Sequence, residues 1–507
     1  MTARALVIGS GPNGLSAAIT LAEGGCEVLV LESAPVPGGA VATEELTLPG
    51  FRHDTCSSVY PAAVASPVFA AMPLERHGLR WIHPDACYAH PLPDGRAAVL
   101  YRDLDRTAQN LDALSPGDGT AWGRFVAPYV ERFELLRALP LGGSAALRSG
   151  GRLALGLRPR GLVQAARVGL MPVQALAAEL FAGSGARAWL YGSAMHGDVP
   201  PGASGSAIPA LVLNLLGHAV GWPSPEGGAG RLASALIGYL ESLGGAVRCN
   251  QEVVEIAVQR GRASGVALAD GSRLPADIVI ADVMPGALAR LAGGALPGGY
   301  RAALGRYRPG PATLKVDWAL DGPIPWSAPE ARGAGTVHVG GDEEEMLRST
   351  SARRKLPKRP FMLLGQQSVA DPTRAPAGKH TAWAYTRGPQ TIDWPREAER
   401  QAERMEAQVE RFAPGFRDLI LARHVLAPAD LQRRNANLIG GDTGGGSYSL
   451  DQALFRPVPR LVPYRTPIKR LYIASAATFP GGAVHGIAGR AAARLALARL
   501  RPASRRS

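Results

Sequence analysis

Three glycines and one glutamate give this 507-residue chain its first chemical signal. Gly9, Gly11 and Gly14 stand in ALVIGSGPNG (5–14) at G-x-G-x-x-G spacing, and Glu32 closes EVLVLE eighteen residues after Gly14. That set can seat a dinucleotide. The first glycine allows a tight turn, the second lets backbone approach a pyrophosphate, and the third lets a helix pack closely on a strand. A carboxylate at Glu32 can accept a hydrogen bond from a ribose hydroxyl and would repel a 2′-phosphate, which leaves NAD or FAD.

These residues work only if a strand, a helix and a second strand position them. Ala5 to Ile8 is a short apolar run, as expected for a strand buried on both faces. Leu15 to Glu23 reads as the helix whose N-terminal amides face the phosphates, and Glu27 to Leu31 as the strand that delivers Glu32. With 62 glycines in the chain, the spacing alone arises readily by chance. The agreement of strand, helix and acid carries the reading.

The length exceeds one ordinary core, so two domains are expected. Charged residues at 19% and hydrophobic ones at 46% suit a soluble globular enzyme. No secretory signal and no run of eighteen apolar residues is found, so neither secretion nor a spanning helix is expected. Cys26, Cys56, Cys87 and Cys249 are far apart and form no C-x-x-C. That excludes redox-disulfide flavoenzymes and zinc ribbons, suits a reducing cytoplasm, and leaves no metal site expected. The formal charge of +13 raises nucleic acid as a partner, but no nucleic-acid module or basic–aromatic interleaving accompanies it. A solvated basic surface explains it better. Residues 144–178 stand apart, with Arg148, Arg152, Arg158, Arg160 and Arg167, no acid until Glu179, and many Leu, Val and Ala. Such a segment is either an internal cap with exposed arginines or a peripheral contact with an anionic membrane surface.

The rest of the chain separates NAD from FAD. SAPVPGGAVATEE follows Glu32 directly, and its Gly38-Gly39 pair permits close backbone approach to a second part of a dinucleotide. A NAD site built on the first unit alone has no need of it. Downstream, 227–285 predicts a helix over Leu232–Leu243, strands at Ala246–Cys249 and Glu252–Ile256, and a hairpin turning at Asp270-Gly271. A buried strand then ends on Asp282. Near the C-terminus, RLYIASAATFPGGAVHGIAGRAAARLAL gives a strand, a Gly-Gly turn and a helix from about Val484.

Together, GSGPNG…VLVLESAPVPGGAVATEE, GGAGRLASAL…GG and LYIASAATFPGGAVHGIAGR resemble the phytoene-dehydrogenase-related FAD oxidoreductases. MHGDVPPGASGSA (195–207) and SLDQALFRPVPRLVPYRTPIKRLYI (449–473) are similar to the subgroup named for the second pyridine nucleotide-disulphide oxidoreductase domain-containing protein. The resemblance runs from end to end. It implies an α/β fold: a glutathione-reductase-like, FAD-binding Rossmann domain from 1–75, 226–290 and 436–507, with an inserted mixed sheet and helical (α+β) substrate domain from 76–225 and 291–435.

By the same resemblance, Gly9, Ser10, Gly11 and Gly14 hold the FAD pyrophosphate and Glu32 the adenosine ribose. Gly38, Gly39, Ala40 and Val41 run along the phosphate and flavin side. Val253 pairs its backbone with adenine. Gly482, Ala483, Val484, His485, Gly486 and Ile487 lie at the pyrimidine edge of the flavin. Relatives of the amine-oxidase type often carry arginine where this chain has Ala40, which sets it apart from them. His485, in the C-terminal turn, is the first candidate to take the proton that accompanies hydride loss, and His196, in MHGDVPP, the second. No cysteine or histidine in PGGAVATEE can tether the cofactor, so non-covalent FAD is expected.

The substrate segments read as mostly helical over 76–225. Over 290–435 strands (TLKVDWAL, FMLLGQQ, HTAWAYTR) mix with a helix from Arg396 to Phe412. SAIPALVLNLLGHAVGW is apolar enough to line a tunnel, interrupted by Asn214 and His218, residues of a kind usually satisfied within a core. GGDTGGGS (440–447) reads as a loop, and no second strand–glycine–helix unit follows residue 100, so O2 or a quinone is expected as acceptor rather than NADPH. The expected activity is dehydrogenation of a hydrophobic small molecule. Two alternatives stand beside it: a carotenoid or isoprenoid desaturase at the membrane surface, and a flavin-free binding protein on the same fold.

Overall fold

The computed structural model describes residues 2–139, 143–351, 355–453 and 455–500. Five short parallel strands form its first sheet: β1 (Arg4–Ile8), β2 (Glu27–Leu31), β3 (Ala246–Arg248), β4 (Ile278–Ala281) and β5 (Leu471–Ile473), in the order β5-β4-β1-β2-β3. Side chains alternate across a strand, so β1 feeds two cores. Ala5 and Val7 pack towards helix α1 (Pro12–Glu23), helix Gly230–Ser242 and the C-terminal helix α2 (Ile487–Leu500). Leu6 and Ile8 face the other way, onto the small antiparallel sheet of 253–259, 262–268 and 273–275 and onto helix Pro285–Ala292.

The second sheet has seven strands, in the order 420–426, 312–320, 380–388, 362–365, 334–339, 86–91 and 97–100. Trp318, Val316 and Leu314 of one strand meet Ala398, Ala402, Met405 and Val409 of helix Trp394–Glu410, whose apolar residues recur at helical spacing. Tyr88 and Leu100 instead join Trp122, Trp189 and the helices between 104 and 220.

Some element boundaries differ from the sequence reading. Helix α1 begins at Pro12, not Leu15, because proline suits the first helical turn, where its missing N–H is no loss. Helix α2 begins at Ile487, not Val484, because backbone φ is positive at Gly481 (120°), Ala483 (81°) and Gly486 (67°), which no helix accommodates. Residues 76–225 are not only helical: ACYAHP (86–91) and AAVL (97–100) are strands of the large sheet. Helix Gly143–Leu170 spans most of the basic segment, and Arg148, Arg152, Arg160 and Arg167 are exposed on it. The side chains of 144–147, 157 and Arg158 lie outside the described residues.

Candidate functional site: a dinucleotide cradle joined to the C-terminal turn

The glycine turn folds onto Asp282, the residue that follows β4. The Gly14 N–H donates to Asp282 Oδ2 at 2.8 Å. A Cβ added at Gly14 would fall 2.1 Å from the Gly9 carbonyl oxygen, and one at Gly11 would fall 2.9 Å from Asp282 Oδ2. The third glycine therefore does what its spacing implies. The second has a further reason to be glycine, since the Asp282 carboxyl occupies the space a side chain would take. Asp282 itself is buried, and burial pushes its carboxyl up to about 7, against the Gly14 N–H and with help from the nearby Glu32 charge.

Glu32 is held rather than free. Its Oε2 accepts from Ser10 N (2.9 Å) and Ser10 Oγ (2.6 Å), and its Oε1 accepts from Ala34 N at 2.9 Å. Ser10 Oγ also accepts from Gly38 N at 3.0 Å, so one hydroxyl ties the glycine turn, the acidic residue and the Gly-Gly loop together. A Cβ on Gly39 would lie 3.1 Å from Gly11 Cα, which brings the second loop against the first turn. The Ala40 carbonyl accepts from Ser57 Oγ at 3.0 Å, and Val41 is fully buried. Gln251 N donates to the Glu32 carbonyl at 2.8 Å, which sets Val253, two residues on, beside the same corner.

The C-terminal turn closes over α1 from the other side. A Cβ on Gly486 would fall 2.2 Å from Ser16 Oγ, and one on Gly489 would fall 1.9 Å from the Asn13 carbonyl oxygen. Within this turn Ala483 holds a left-handed φ although it is not glycine, a strain found mostly where function fixes the backbone. The His485 carbonyl accepts from Ser66 Oγ at 2.6 Å. Its ring Nδ1 accepts from Ile487 N at 3.1 Å, so in the neutral ring the proton belongs on Nε2. Nε2 is buried without a hydrogen-bond partner among the described residues. Burial pulls this imidazole down to about 4, opposed by the Gly481 and Gly482 carbonyls. A neutral ring with its proton on Nε2 can donate from that atom.

His196 sits elsewhere. Its Nε2 faces His338 Nε2 at 2.9 Å, its ring meets Trp222 edge-on at 5.2 Å, and Arg387 Nη2 donates to its carbonyl at 2.9 Å. Burial, then the Arg387 charge, pulls it down to about 3. His196 and His485 share no hydrogen bond or ring contact among the described residues. Beside His196 a cavity of about 260 Å³ is lined mainly by apolar groups, including Met195, Val199, Pro311, Phe361 and Tyr385, with Arg387 at its wall. Asn214 and His218 are satisfied in the core: Asn214 Oδ1 accepts from Tyr88 Oη (2.8 Å), and His218 Nε2 accepts from Trp122 Nε1 (3.0 Å).

A buried polar cluster on strand 312–320 is not evident from the motifs. Lys315 Nζ pairs with Asp317, and His53 Nδ1 lies 3.5 Å from the same carboxylate. Burial alone would raise the Asp317 carboxyl, but Lys315 and His53 hold it below the ordinary range. The signal in the sequence is TLKVDWAL, where Lys and Asp two apart must share one face of a strand.

The comparisons with known proteins agree with this geometry. The family model described as NAD(P)-binding Rossmann-like domain matches residues 7–72. Pyridine nucleotide-disulfide oxidoreductase domain-containing protein 2 of Rattus norvegicus is 29% identical over 97% of this chain and 92% of its own. Phytoene desaturase (neurosporene-forming) of Cereibacter sphaeroides is 26% identical, over 99% of this chain and 96% of its own. The crystal structure of an oxidoreductase from Methanosarcina mazei superposes with a TM-score of 0.66 at 18% identity, over 97% of this chain and 99% of that one, and shares the fold. The chain is an oxidoreductase with a Rossmann-type nucleotide-binding domain. It resembles the phytoene-dehydrogenase-related FAD oxidoreductases. Among the described residues no group of His, Cys, Asp and Glu is placed to hold a metal ion, and no helix is long and apolar enough to cross a membrane.

Proposed function

We propose that this chain holds FAD non-covalently and dehydrogenates a hydrophobic small molecule. One observation supports FAD over NAD more than any other. Gly486 of the C-terminal turn and Gly489 of α2 pack directly on α1, so the two ends of the chain make one continuous cradle, longer than a single βαβ unit provides. When bound, FAD supplies a hydride acceptor at its N5 position.

The chain's residues bind, orient and exclude water. Gly9, Ser10, Gly11 and Gly14 present backbone to the pyrophosphate at the N-terminus of α1. Glu32, fixed by Ser10 and Ala34, offers its remaining lone pairs to the ribose, and Val253 its backbone to the adenine. Gly38, Gly39, Ala40 and Val41 line the phosphate and flavin side. Gly482, Ala483, Val484, Gly486 and Ile487 meet the pyrimidine edge, where the amides opening α2 favour negative charge. His485 adds a neutral Nε2–H donor there. His196, hydrogen-bonded to His338, stands on the substrate side as the second candidate to take the proton. The division into a cofactor part (1–75, 226–290, 436–507) and a substrate part (76–225, 291–435) follows from this reading. The apolar cavity beside Met195 and Tyr385 suits a hydrophobic substrate, and O2 or a quinone is the acceptor that needs no second nucleotide site.

Purified protein should be yellow and release FAD on denaturation. Anaerobic mixing with amines, alcohols, acyl compounds and isoprenoids should bleach it with the true substrate class. Colourless protein that cannot be reconstituted with FAD would overturn the reading. A second reading, desaturation at a membrane surface, is favoured by helix Gly143–Leu170, where Leu155 (83%), Val163 (69%) and Leu170 (62%) are exposed beside arginines. Flotation with anionic lipid vesicles separates the two.

A further inference from the structure

Among the described residues two arginines are almost fully buried, Arg374 and Arg456, and the fold treats them differently. Arg374 Nη2 is paired with Asp54 Oδ2 at 2.7 Å. Arg456, 1% exposed, forms no ion pair with any carboxylate among the described residues. Its Nη2 donates to Tyr307 Oη (2.8 Å), the Gly445 carbonyl (2.7 Å) and the Gly446 carbonyl (3.2 Å). Its Nε and Nη1 are buried with no hydrogen-bond partner among the described residues. The guanidinium carbon lies 4.8 Å from the Tyr448 ring centre and 6.0 Å from that of Tyr307, so aromatic faces replace a counter-ion.

The position of Nη1 gives the charge its meaning. A Cβ built on Gly481 would fall 2.2 Å from Arg456 Nη1 and 3.3 Å from Tyr448 Oη. The cation therefore rests against the back of the turn that runs through Gly482 and Ala483 into α2. A guanidinium cannot shed its proton to escape burial, and an unpaired buried charge is costly. Its field is also little screened there. The amides that open α2, six residues after Gly481, are a second source of positive potential on the same turn.

We propose that Arg456 is an electrostatic positioning residue: a fixed positive charge behind the Gly481–Ala483 turn that favours negative charge on the flavin ring once it is reduced. This rests on the FAD reading given above. Arg456 would then set the cofactor's potential, and with it the acceptors able to reoxidise the enzyme. The competing role is mechanical, since Nη2 also clamps the 445–446 loop. The two roles differ in what they move. A loop clamp changes the affinity for oxidised and reduced FAD together, whereas a field changes the affinity for the reduced form. The potential of bound relative to free flavin is the ratio of those two affinities.

The test uses the full-length, FAD-loaded protein and the variants Arg456→Met, Arg456→Gln and Arg456→Lys. The flavin midpoint potential is measured against redox dyes, and the dissociation constant of oxidised FAD is measured separately. Expected is a fall in potential for Arg456→Met equal to at least a tenfold loss of reduced over oxidised flavin, about 30 mV for a two-electron couple. Arg456→Lys should stay within about threefold of the wild type at acid pH, where its buried ammonium keeps its proton, and fall to the methionine value as that proton is lost at higher pH. Should the methionine variant not fold, glutamine against wild type makes the same comparison. An unchanged potential with weakened oxidised FAD would overturn the proposal and leave Arg456 a clamp. Wild-type protein that takes up no FAD would overturn the FAD reading instead, and this inference with it.

Discussion

Replacing Asp282 with Asn removes a buried titration while keeping an acceptor for the Gly14 N–H. The folded carboxyl lies near 7, against about 3.8 for an ordinary one, because burial penalises its charged form. Well below pH 3.8 both states are protonated and folding costs nothing at this site. As the pH rises towards 7 the unfolded chain releases its proton while the folded one keeps it, so stability falls. Above that range the folded state must carry the charge. The difference of about three pH units, at 1.36 kcal/mol per unit, is about 4 kcal/mol in all. The assay is denaturant unfolding of cofactor-free wild type and Asp282→Asn at pH 5 and pH 8.5, so that other titrating groups cancel between the two proteins. The variant should gain about 2.7 kcal/mol relative to wild type at pH 8.5 over its standing at pH 5, the two pH units between 5 and 7 at 1.36 kcal/mol each. Oxidised FAD should also bind wild type more tightly at the lower pH, since a neutral Asp282 does not repel the pyrophosphate. Parallel pH profiles for the two proteins would refute the argument.

Other expectations follow from the same geometry. Gly11→Val should purify without FAD, because its side chain must displace the Asp282 carboxyl, and a fully loaded variant would sink the cradle assignment. Glu32→Gln should weaken FAD by about 1–3 kcal/mol, since its amide group turns a donor towards Ser10 or Ala34; calorimetric titration giving the wild-type affinity would show that Glu32 only ends a strand. His485→Ala should keep FAD and slow flavin reduction by a true substrate roughly tenfold. Its pH profile above 5 should be unchanged, because a ring that titrates near 4 is neutral there. An unaltered rate in stopped-flow would make His485 a packing residue.

The unit from Ala5 to Glu32 was legible because each of its signals is local: an aliphatic run, three glycines, a helix and an acid. Strands 86–91 and 97–100 were not, because ACYAHP and AAVL are short, rich in alanine and buried along their length, so no alternation marks them. Asp282 ends an aliphatic run, where an acid ordinarily faces water. Its burial is set by Gly14, 268 residues away, which no window along the chain contains. Arg456 stands among prolines and other arginines, and only the fold brings Tyr307, Gly445 and Gly481 around it. The His485 tautomer likewise depends on a backbone N–H two residues on, in a turn whose positive φ values delay the helix.

The order of the five-stranded sheet bears on how this protein is made. β1 at residues 4–8 has its neighbour β4 at 278–281, and β5, which covers the outer edge of β4, comes at 471–473. During synthesis the glycine turn therefore emerges hundreds of residues before the strand that supplies Asp282, and before the helix that seals α1. A nascent chain in which Leu471–Ile473 has not yet emerged exposes the edge of β4 as a template for unwanted strand pairing. Such a chain offers the nucleotide half a seat. A truncation before Leu471 would therefore remove β5 and α2 together, and with them one whole side of the proposed cradle.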